Sequence, residues 1–426
     1  MAALKVLHKN KALAPKLRFK GFTESWEMKP LIELSVNGFS NGAFNDPKKV
    51  GSGYRIINVK DMYIDGTIKL DTLTRVAIDE KEFSKNRVAY GDIFFTRSSL
   101  VKEGIAYSNV NLNEVDDLTF DGHLIRMRPD GELHSPVFLY YNFSTKTARK
   151  QFIKRGKTAT MTTIGQEDIS KVEIIFPRLP EQQKIASFLS SVDEKIQQLT
   201  RKKQLLEQYK KGVMQQLFSG KLRFKDENGK AFPKWDEKRM GDVGDLKNGL
   251  NKDKNDFGFG SPFVNLMDVF GKRELNNQSF DLVNSNDNEK ELYSIKKGDV
   301  LFIRSSVKRS GVGEAVVVNE DFPQTVYSGF LIRFRDDKKT LDQKFKKYCF
   351  ANYSFRKELL SYATTSANTN INQESLRFVK LRVPVVKEQK KIANYLSSID
   401  YKIEIINKQI TQTQTFKKGL LQQMFV

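Results

Sequence analysis

Two stretches of the chain space their hydrophobic residues in the same rhythm. Ile185, Leu189, Val192, Ile196 and Leu199 step by four, three, four and three, and Ile392, Leu396, Ile399, Ile403, Ile406 and Ile410 keep the same alternation. That spacing lays one apolar stripe along an α-helix, the seam by which helices pair in coiled coils. It predicts long helices over 179–220 and 386–426. Thirty-eight residues at this rise make a rod of roughly 57 Å. Pro180 suits a first turn, where its missing N–H is not needed. In the first helix Lys203 interrupts the seam before Leu206, Tyr209, Val213 and Leu217 resume it in shifted phase. Elsewhere the rhythm changes. Short apolar runs such as VEIIFP (172–177), GDIFF (91–95) and HLIRMR (123–128), bounded by Gly, Asn and Asp, predict strands and turns. FLYYNFSTKTARKQFI (138–153) and FKKYCFANYSFRKELL (345–360) return to a helical period. The globular parts therefore read as mixed α/β.

Most of this pattern is written twice. EQQKIASFLSSVDEKI at 181–196 recurs as EQKKIANYLSSIDYKI at 388–403, an offset of 207. The same offset carries Gly91-Asp92-Ile93 onto Gly298-Asp299-Val300, and Arg97-Ser98-Ser99 onto Arg304-Ser305-Ser306. It carries FDGHLIRMR (120–128) onto YSGFLIRFR (327–335), Ile164, Gln166 and Glu167 onto Ile371, Gln373 and Glu374, and Pro177 onto Pro384. Residues 181–218 then map without a gap onto 388–425. Self-similarity over such a span means a duplicated structural unit. Upstream the offset drifts: KLRFK at 16–20 recurs at 221–225 and Trp26 matches Trp235, as small loop insertions allow. The stretch 63–90 keeps its length in the second copy but almost none of its residues. The copies therefore share a scaffold and differ in part of what they present.

The expected division is a first α/β domain over 1–178, a long helix over 179–220, a second α/β domain over 221–385 and a second long helix over 386–426. The first helix runs through QLFSGKLRFK into the second copy; the second ends at QQMFV, and its KLRFK stands near the chain start. Start and end thus hold equivalent places in a pseudo-two-fold arrangement, and the termini are expected close in space. The two helices most simply pair with each other, antiparallel, as a spacer; the alternative is that each lies separately on its own domain. LSS-D-KI and KKG--QQ-F, repeated on what read as the outer helix faces, would suit a partner protein that binds both ends alike.

Composition narrows the function classes. At 426 residues, with 39% hydrophobic and 11% aromatic, the chain can fill two or three domains. It has no window of eighteen apolar residues to span a bilayer, and its basic N-terminal stretch lacks the apolar core of a secretion signal. The single cysteine, Cys349, excludes an internal disulfide and a CxxC zinc site, so a reducing compartment, the cytoplasm, is expected. Lys and Arg number 72 against 51 Asp and Glu, a net charge of +21, with no low-complexity basic tail. Such a surplus on folded domains points to a polyanion. Nucleic acid fits better than an anionic membrane, because no basic amphipathic helix stands out.

Catalytic signatures are missing. The histidines are His8, His123 and His134; His123 is replaced by Phe330 in the second copy, so it is expected to pack rather than react. GKT at 156–158 resembles the end of a phosphate loop, but Gln151 stands where that motif needs Gly. FGFG at 257–260 reads as a loop. No NPPY- or DPPY-like tetrapeptide and no PD…ExK pattern is present, so neither a catalytic centre nor a metal site is expected.

Recognition remains. TRSSLVKEG (96–104) offers Arg97, Ser98, Ser99 and Lys102, and IRSSVKRSG (303–311) offers Arg304, Ser305, Ser306, Lys308 and Arg309. An arginine beside two small hydroxyls can reach a phosphate or the O6/N7 edge of guanine. KTATMTTIGQ (157–166) adds Lys157, Thr158, Thr160, Thr162 and Thr163. TTSANTNINQ (364–373) adds Thr364, Thr365, Ser366, Asn368, Thr369, Asn370 and Asn372. The plainer alternatives are an arginine paired with a nearby acid and an ordinary polar loop.

With PEQQKIASFLSSVDEKI and KEQKKIANYLSSIDYKI each followed by KKG--QQ-F, and each preceded by a domain bearing a GD…RSS run, nearly the whole chain resembles the specificity subunits of type I restriction–modification systems. The resemblance implies two target-recognition domains, each reading one half of a bipartite, asymmetric double-stranded DNA site. It implies that the long helices set the gap between half-sites and dock two modification subunits and, through them, the restriction subunits. It places S-adenosylmethionine and adenine methylation in the modification subunit, ATP and Mg2+ in the restriction subunit, and no cofactor or catalysis in this chain. Carried over, Arg97, Ser98, Ser99 and 157–163 would face DNA in the first domain, and Arg304, Ser305, Ser306 and 364–372 in the second. A stand-alone bipartite DNA-binding regulator and an enzyme with an unrecognised site stay open as alternatives.

Overall fold

The computed structural model describes residues 13–44, 47–64, 66–276, 278–365 and 367–426; His8 and Ser366 fall outside the described residues. The chain forms two compact units, Met1–Thr200 with Lys408–Val426, and Arg201–Asn407. Each long helix, Leu179–Ser219 (41 residues) and Val386–Gln423 (38 residues), gives one half to each unit. A unit is therefore one globular domain, the start of the helix that follows it and the end of the other helix.

In the first unit a four-stranded antiparallel sheet runs in the order Ser35–Asn41, Leu124–Pro129, Ile93–Thr96, Ser108–Val110. Both faces of Ile93–Thr96 are buried, which is why Ile93, Phe94 and Phe95 follow one another as an apolar run rather than an alternation. Phe95 points into a core with Trp26, Phe138, Phe152, Ile185, Leu189 and, from the chain end, Leu420, Met424 and Phe425. Phe94, on the opposite face, packs with Ile57, Met62 and Phe120. There lies a three-stranded sheet, Thr74–Val76, Val50–Ile57, Leu118–Phe120, whose second pairing is parallel. The second unit repeats this around Val300–Ile303 and extends its main sheet to five strands with Glu274–Leu275.

The structural repeat continues where the sequence repeat fades. Helices Glu80–Asn86 and Asp287–Tyr293, within and beside the divergent stretch, lie at the same offset of 207. Asp79 and Asn286 cap them, accepting from the backbone N–H of Glu82 and Glu289. Strands Thr74–Val76 and Asp281–Val283 correspond likewise.

One local expectation needs correction. FGFG is no loop but the start of strand Phe257–Val264, bulged between Phe257 and Ser261. Gly260 sits at φ +97° with its missing Cβ 2.5 Å from Val283 O, so no side chain fits there. The stretches 138–153 and 345–360 are helical as expected, each as two helices. Thr145 ends Pro136–Ser144 in an extended conformation and caps Lys146–Arg155, its hydroxyl accepting from Ala148 N. Asn352 does the same for Tyr353–Ser361.

The duplicated helix sequence fastens each helix to its surroundings. Glu181 is buried and takes two hydrogen bonds of 2.7 Å from Arg18, whose guanidinium is held charged above its usual pKa by that bond. The Gln182 amide donates to Pro177 O (2.8 Å) and accepts from Ser135 N (3.0 Å). Asp193 accepts from the Tyr141 hydroxyl (2.7 Å) and pairs with Lys417. All recur in the second unit, as Arg223 with Glu388, Gln389 with Pro384 O and Asp342 N, and Asp400 with Tyr348 and Lys210.

In unit one the rising series 185–193 meets the falling series 425–417, and in unit two 392–400 meets 218–210, so the helix segments pair antiparallel inside each unit. Leu17 N–H donates to Gln423 O at 2.8 Å, bringing the start of the described chain onto its end.

The seam residues Ile185, Leu189, Val192, Leu199, Ile392, Leu396, Ile399 and Ile406 are buried, with Ile196 and Ile403 half-buried. Many of them pack into domain cores rather than only against the other helix. Tyr209 departs from the expected seam: it is exposed, its hydroxyl 2.6 Å from that of Tyr395. LSS-D and KKG--QQ-F are outer faces only in part: Ser191, Lys211, Gln215, Gln216, Ser398, Lys418, Gln422 and Gln423 are exposed, whereas Leu189, Leu396, Phe218 and Phe425 are buried and Asp193 pairs with Lys417 and Asp400 with Lys210. Among the described residues no helix is long and apolar enough to cross a membrane.

Candidate nucleic-acid interface

Backbone pairing assembles the surface. Ser98–Ser99 runs antiparallel to Thr162–Thr163, which pairs with Lys157–Thr158, so two segments distant in sequence form one small three-stranded sheet. The second unit builds the same sheet from Ser305–Ser306, Thr369–Asn370 and Thr364–Thr365. Arg97 N–H donates to His123 O (3.1 Å) and Ile164 N–H to Arg97 O (3.0 Å). Arg304 is set between Phe330 and Ile371 in the same way, both at 2.9 Å. Each arginine therefore stands at the junction of three chain segments.

The loop after each arginine is held in shape. The Ser99 hydroxyl donates to Val101 O at 2.7 Å, and the missing Cβ of Gly104 lies 2.4 Å from Ser99 Oγ. Gly311 meets Ser306 Oγ at 2.5 Å in the same manner. Arg149 then donates to the carbonyls of Glu103, Ile105 and Ala106, and Arg356 to that of Ser310. Burial lowers the pKa of both guanidiniums. A loop fixed this way loses little conformational freedom on meeting a ligand.

Arg97 is exposed, and its side chain makes no hydrogen bond or ion pair among the described residues. Arg304 is half-buried, with Nη1 3.4 Å from Gly329 O. Lys102, Lys157, Thr158, Thr160, Thr163, Lys308, Arg309, Thr364, Thr365, Asn368 and Asn372 are exposed. Ser98, Ser99, Ser305, Ser306 and Asn370 are half-buried. Lys157 lies 3.4 Å from Asp168, Arg309 donates to Leu360 O, and Asn372 caps helix Gln373–Phe378. Thr162 and Thr369 correct the expectation: both are buried, because the central strand of each small sheet turns them inward, and Thr162 Oγ1 meets Thr158 Oγ1 at 3.0 Å. His123 corrects another. It does not pack; its side chain is 66% exposed, and its counterpart Phe330 is also on the surface.

Arg149 and Arg356 belong to no recognisable motif, and the only sequence signal for them is that the arginine recurs at the common offset inside the helical stretches. The GD motif is explained by structure instead. Asp92 is fully buried and takes two bonds from Arg128 (2.6 and 2.7 Å), and Asp299 does so from Arg335. Those bonds raise the pKa of both arginines.

Reactive groups are not gathered here. Burial pushes the Cys349 thiol up to about 12 and lowers the His134 pKa. Among the described residues no three His, Cys, Asp or Glu are grouped to hold a metal ion. What the surface offers is cations, hydroxyls and amides on a fixed frame, the chemistry of phosphate and base-edge contact.

Comparison with known proteins agrees with the duplication. Residues 24–208 and 233–414 each match the family described as type I restriction modification DNA specificity domain. The chain is 27% identical over 413 residues to the putative type I restriction enzyme MjaX specificity subunit of Methanocaldococcus jannaschii, covering 93% of this chain and 92% of that one. It is 23% identical over 307 residues to the EcoKI specificity subunit of Escherichia coli K12, covering 70% and 65%. Among solved structures it is similar to a chain from a study of complex assembly and conformational transition of the type I R-M system (TM-score 0.59, 16% identity, 93% and 96% covered). It is also similar to the type I restriction–modification S subunit of M. genitalium (TM-score 0.56, 15% identity, 97% and 99% covered). These last two likenesses concern the fold.

Proposed function

The chain belongs to the type I restriction–modification DNA specificity family, and from that premise we propose that each unit reads one half of a bipartite DNA site for a complex whose chemistry lies in other subunits. One observation carries the reading: the same small sheet, pinned loop and arginine recur in both units. Two such surfaces, each discriminating by about 1–3 kcal/mol per base pair, multiply their selectivity when a stiff element fixes their spacing. The two long helices, each entering both units, set that spacing and dock two modification subunits, through which restriction subunits join. The net charge of +21 supplies the sequence-independent part of the affinity, which falls steeply with salt as counterions are released.

In this reading the chain is non-catalytic. S-adenosylmethionine and adenine methylation belong to the modification subunit, and ATP and Mg2+ to the restriction subunit. The test mixes purified chain with purified modification subunit, methyl-labelled S-adenosylmethionine and genomic DNA. Neither protein alone is expected to label DNA, and the mixture is expected to label one split sequence. Methyl transfer by the chain alone would overturn the reading.

A further inference from the structure

The two surfaces share a backbone frame, and one of the corners at which their side chains differ is held in a different way in each unit. In unit one the turn before strand Leu124–Pro129 is closed by Asp121, whose Oδ1 accepts from both the backbone N–H of His123 (2.7 Å) and its ring Nδ1 (2.8 Å). The carboxylate is nearly buried while the imidazole is largely exposed. The carboxylate engages Nδ1, which leaves Nε2 of the exposed ring as the nitrogen open to a ligand, an acceptor in the Nδ1–H tautomer. In unit two the same turn is closed by Ser328, whose Oγ accepts from Phe330 N–H at 3.3 Å, and it presents a phenyl ring that is 59% exposed. The carbonyls of His123 and Phe330 receive the N–H of Arg97 and Arg304, so each presented side chain stands beside the arginine of its frame.

Packing asks for neither arrangement. A phenyl ring held in water and a buried carboxylate aiming a surface imidazole contribute little to a core. A frame common to both units also cannot tell one half-site from the other, whereas this corner can. We propose that the residue at this corner helps set the base preference of each unit. His123 Nε2 accepts from an exocyclic amine, N6 of adenine or N4 of cytosine, and Phe330 packs on the C5 methyl of thymine. The proposal rests on the reading that these surfaces face DNA.

The test selects duplexes from a randomised pool with the full chain and its modification subunit, for wild type, His123→Phe, His123→Gln and Phe330→His. His123→Phe is expected to lose about tenfold discrimination at one base pair of one half-site and leave the other half unchanged. His123→Gln keeps an acceptor and is expected to retain most of that preference. Phe330→His is expected to change a single position in the opposite half. Variants that select the wild-type motif with undiminished discrimination overturn the proposal. So does a uniform loss of binding with unchanged base preference, which marks a merely structural role. A wild-type chain that selects no split motif defeats the DNA reading itself, so the two failures are told apart.

Discussion

Arg149 in unit one and Arg356 in unit two occupy the same place and hold the same loop, but not equally well. Arg149 reaches three carbonyls; Arg356 reaches one, and its Nη1 is buried without a partner among the described residues. At the helix base the balance reverses. Glu388 accepts from Trp235 Nε1 as well as Arg223, whereas Trp26 Nε1 is buried without a partner among the described residues, leaving Glu181 to Arg18. The duplication kept the positions that fasten helix to domain and loop to frame, and let the strength of each fastening drift. Surface corners drifted further, as His123 and Phe330 show. Buried residues common to both units therefore report architecture, and differences between exposed equivalents report what each unit does separately.

The largest expected effect lies at the buried carboxylates. Arg18→Leu leaves Glu181 unpaired and is expected to destabilise its unit by about 4 kcal/mol, against about 3 kcal/mol for Arg223→Leu, where the indole N–H still holds Glu388. Urea unfolding reads both, and equal losses would show that the indole bond contributes nothing. Next come the loop arginines. Arg149→Ala is expected to cost about 2 kcal/mol and Arg356→Ala about 1 kcal/mol, in the order of the bonds each makes. Hydrogen exchange should quicken more over 103–106 in the first variant than over 310–313 in the second; the reverse order would undo the ranking.

The smallest effect is a probe of unit two alone, because Asn142 stands in unit one where unit two has Cys349. Burial raises the folded thiol's pKa to about 12, above the ordinary value near 8.5. The unfolded chain thus loses its proton first, and this contribution to stability is present below about pH 8.5 and shrinks as pH rises through the interval to 12. Iodoacetamide at pH 8 should leave native chain unlabelled and mark Cys349 as urea opens unit two; rapid native labelling would contradict the burial.

Much of the fold was legible because burial leaves periodic traces. The 4-3 spacing gave both long helices, and the fixed offset gave the duplication. The outward reading of LSS-D and KKG holds for Ser191, Lys211, Ser398 and Lys418 but not for the Asp and the first Lys, because the partners, Asp193 with Lys417 and Asp400 with Lys210, lie more than 180 residues apart and no local pattern joins them. Separation along the chain also hid the small sheets: Ser98–Ser99 and Thr162–Thr163 could be chosen separately for their polar side chains, but only long-range pairing brings them together and turns Thr162 inward. The break at Thr145 was more local, yet an apolar period outweighs one capping residue when a sequence is read by rhythm alone.

The central claim, that each unit reads its own half-site, is tested most directly by duplex selection with Arg97→Ala and Arg304→Ala in the full chain with its modification subunit. The expected result is a split wild-type motif from which each variant erases information in a different half only. One substitution blurring both halves alike, or a wild-type motif without a gap, would contradict it.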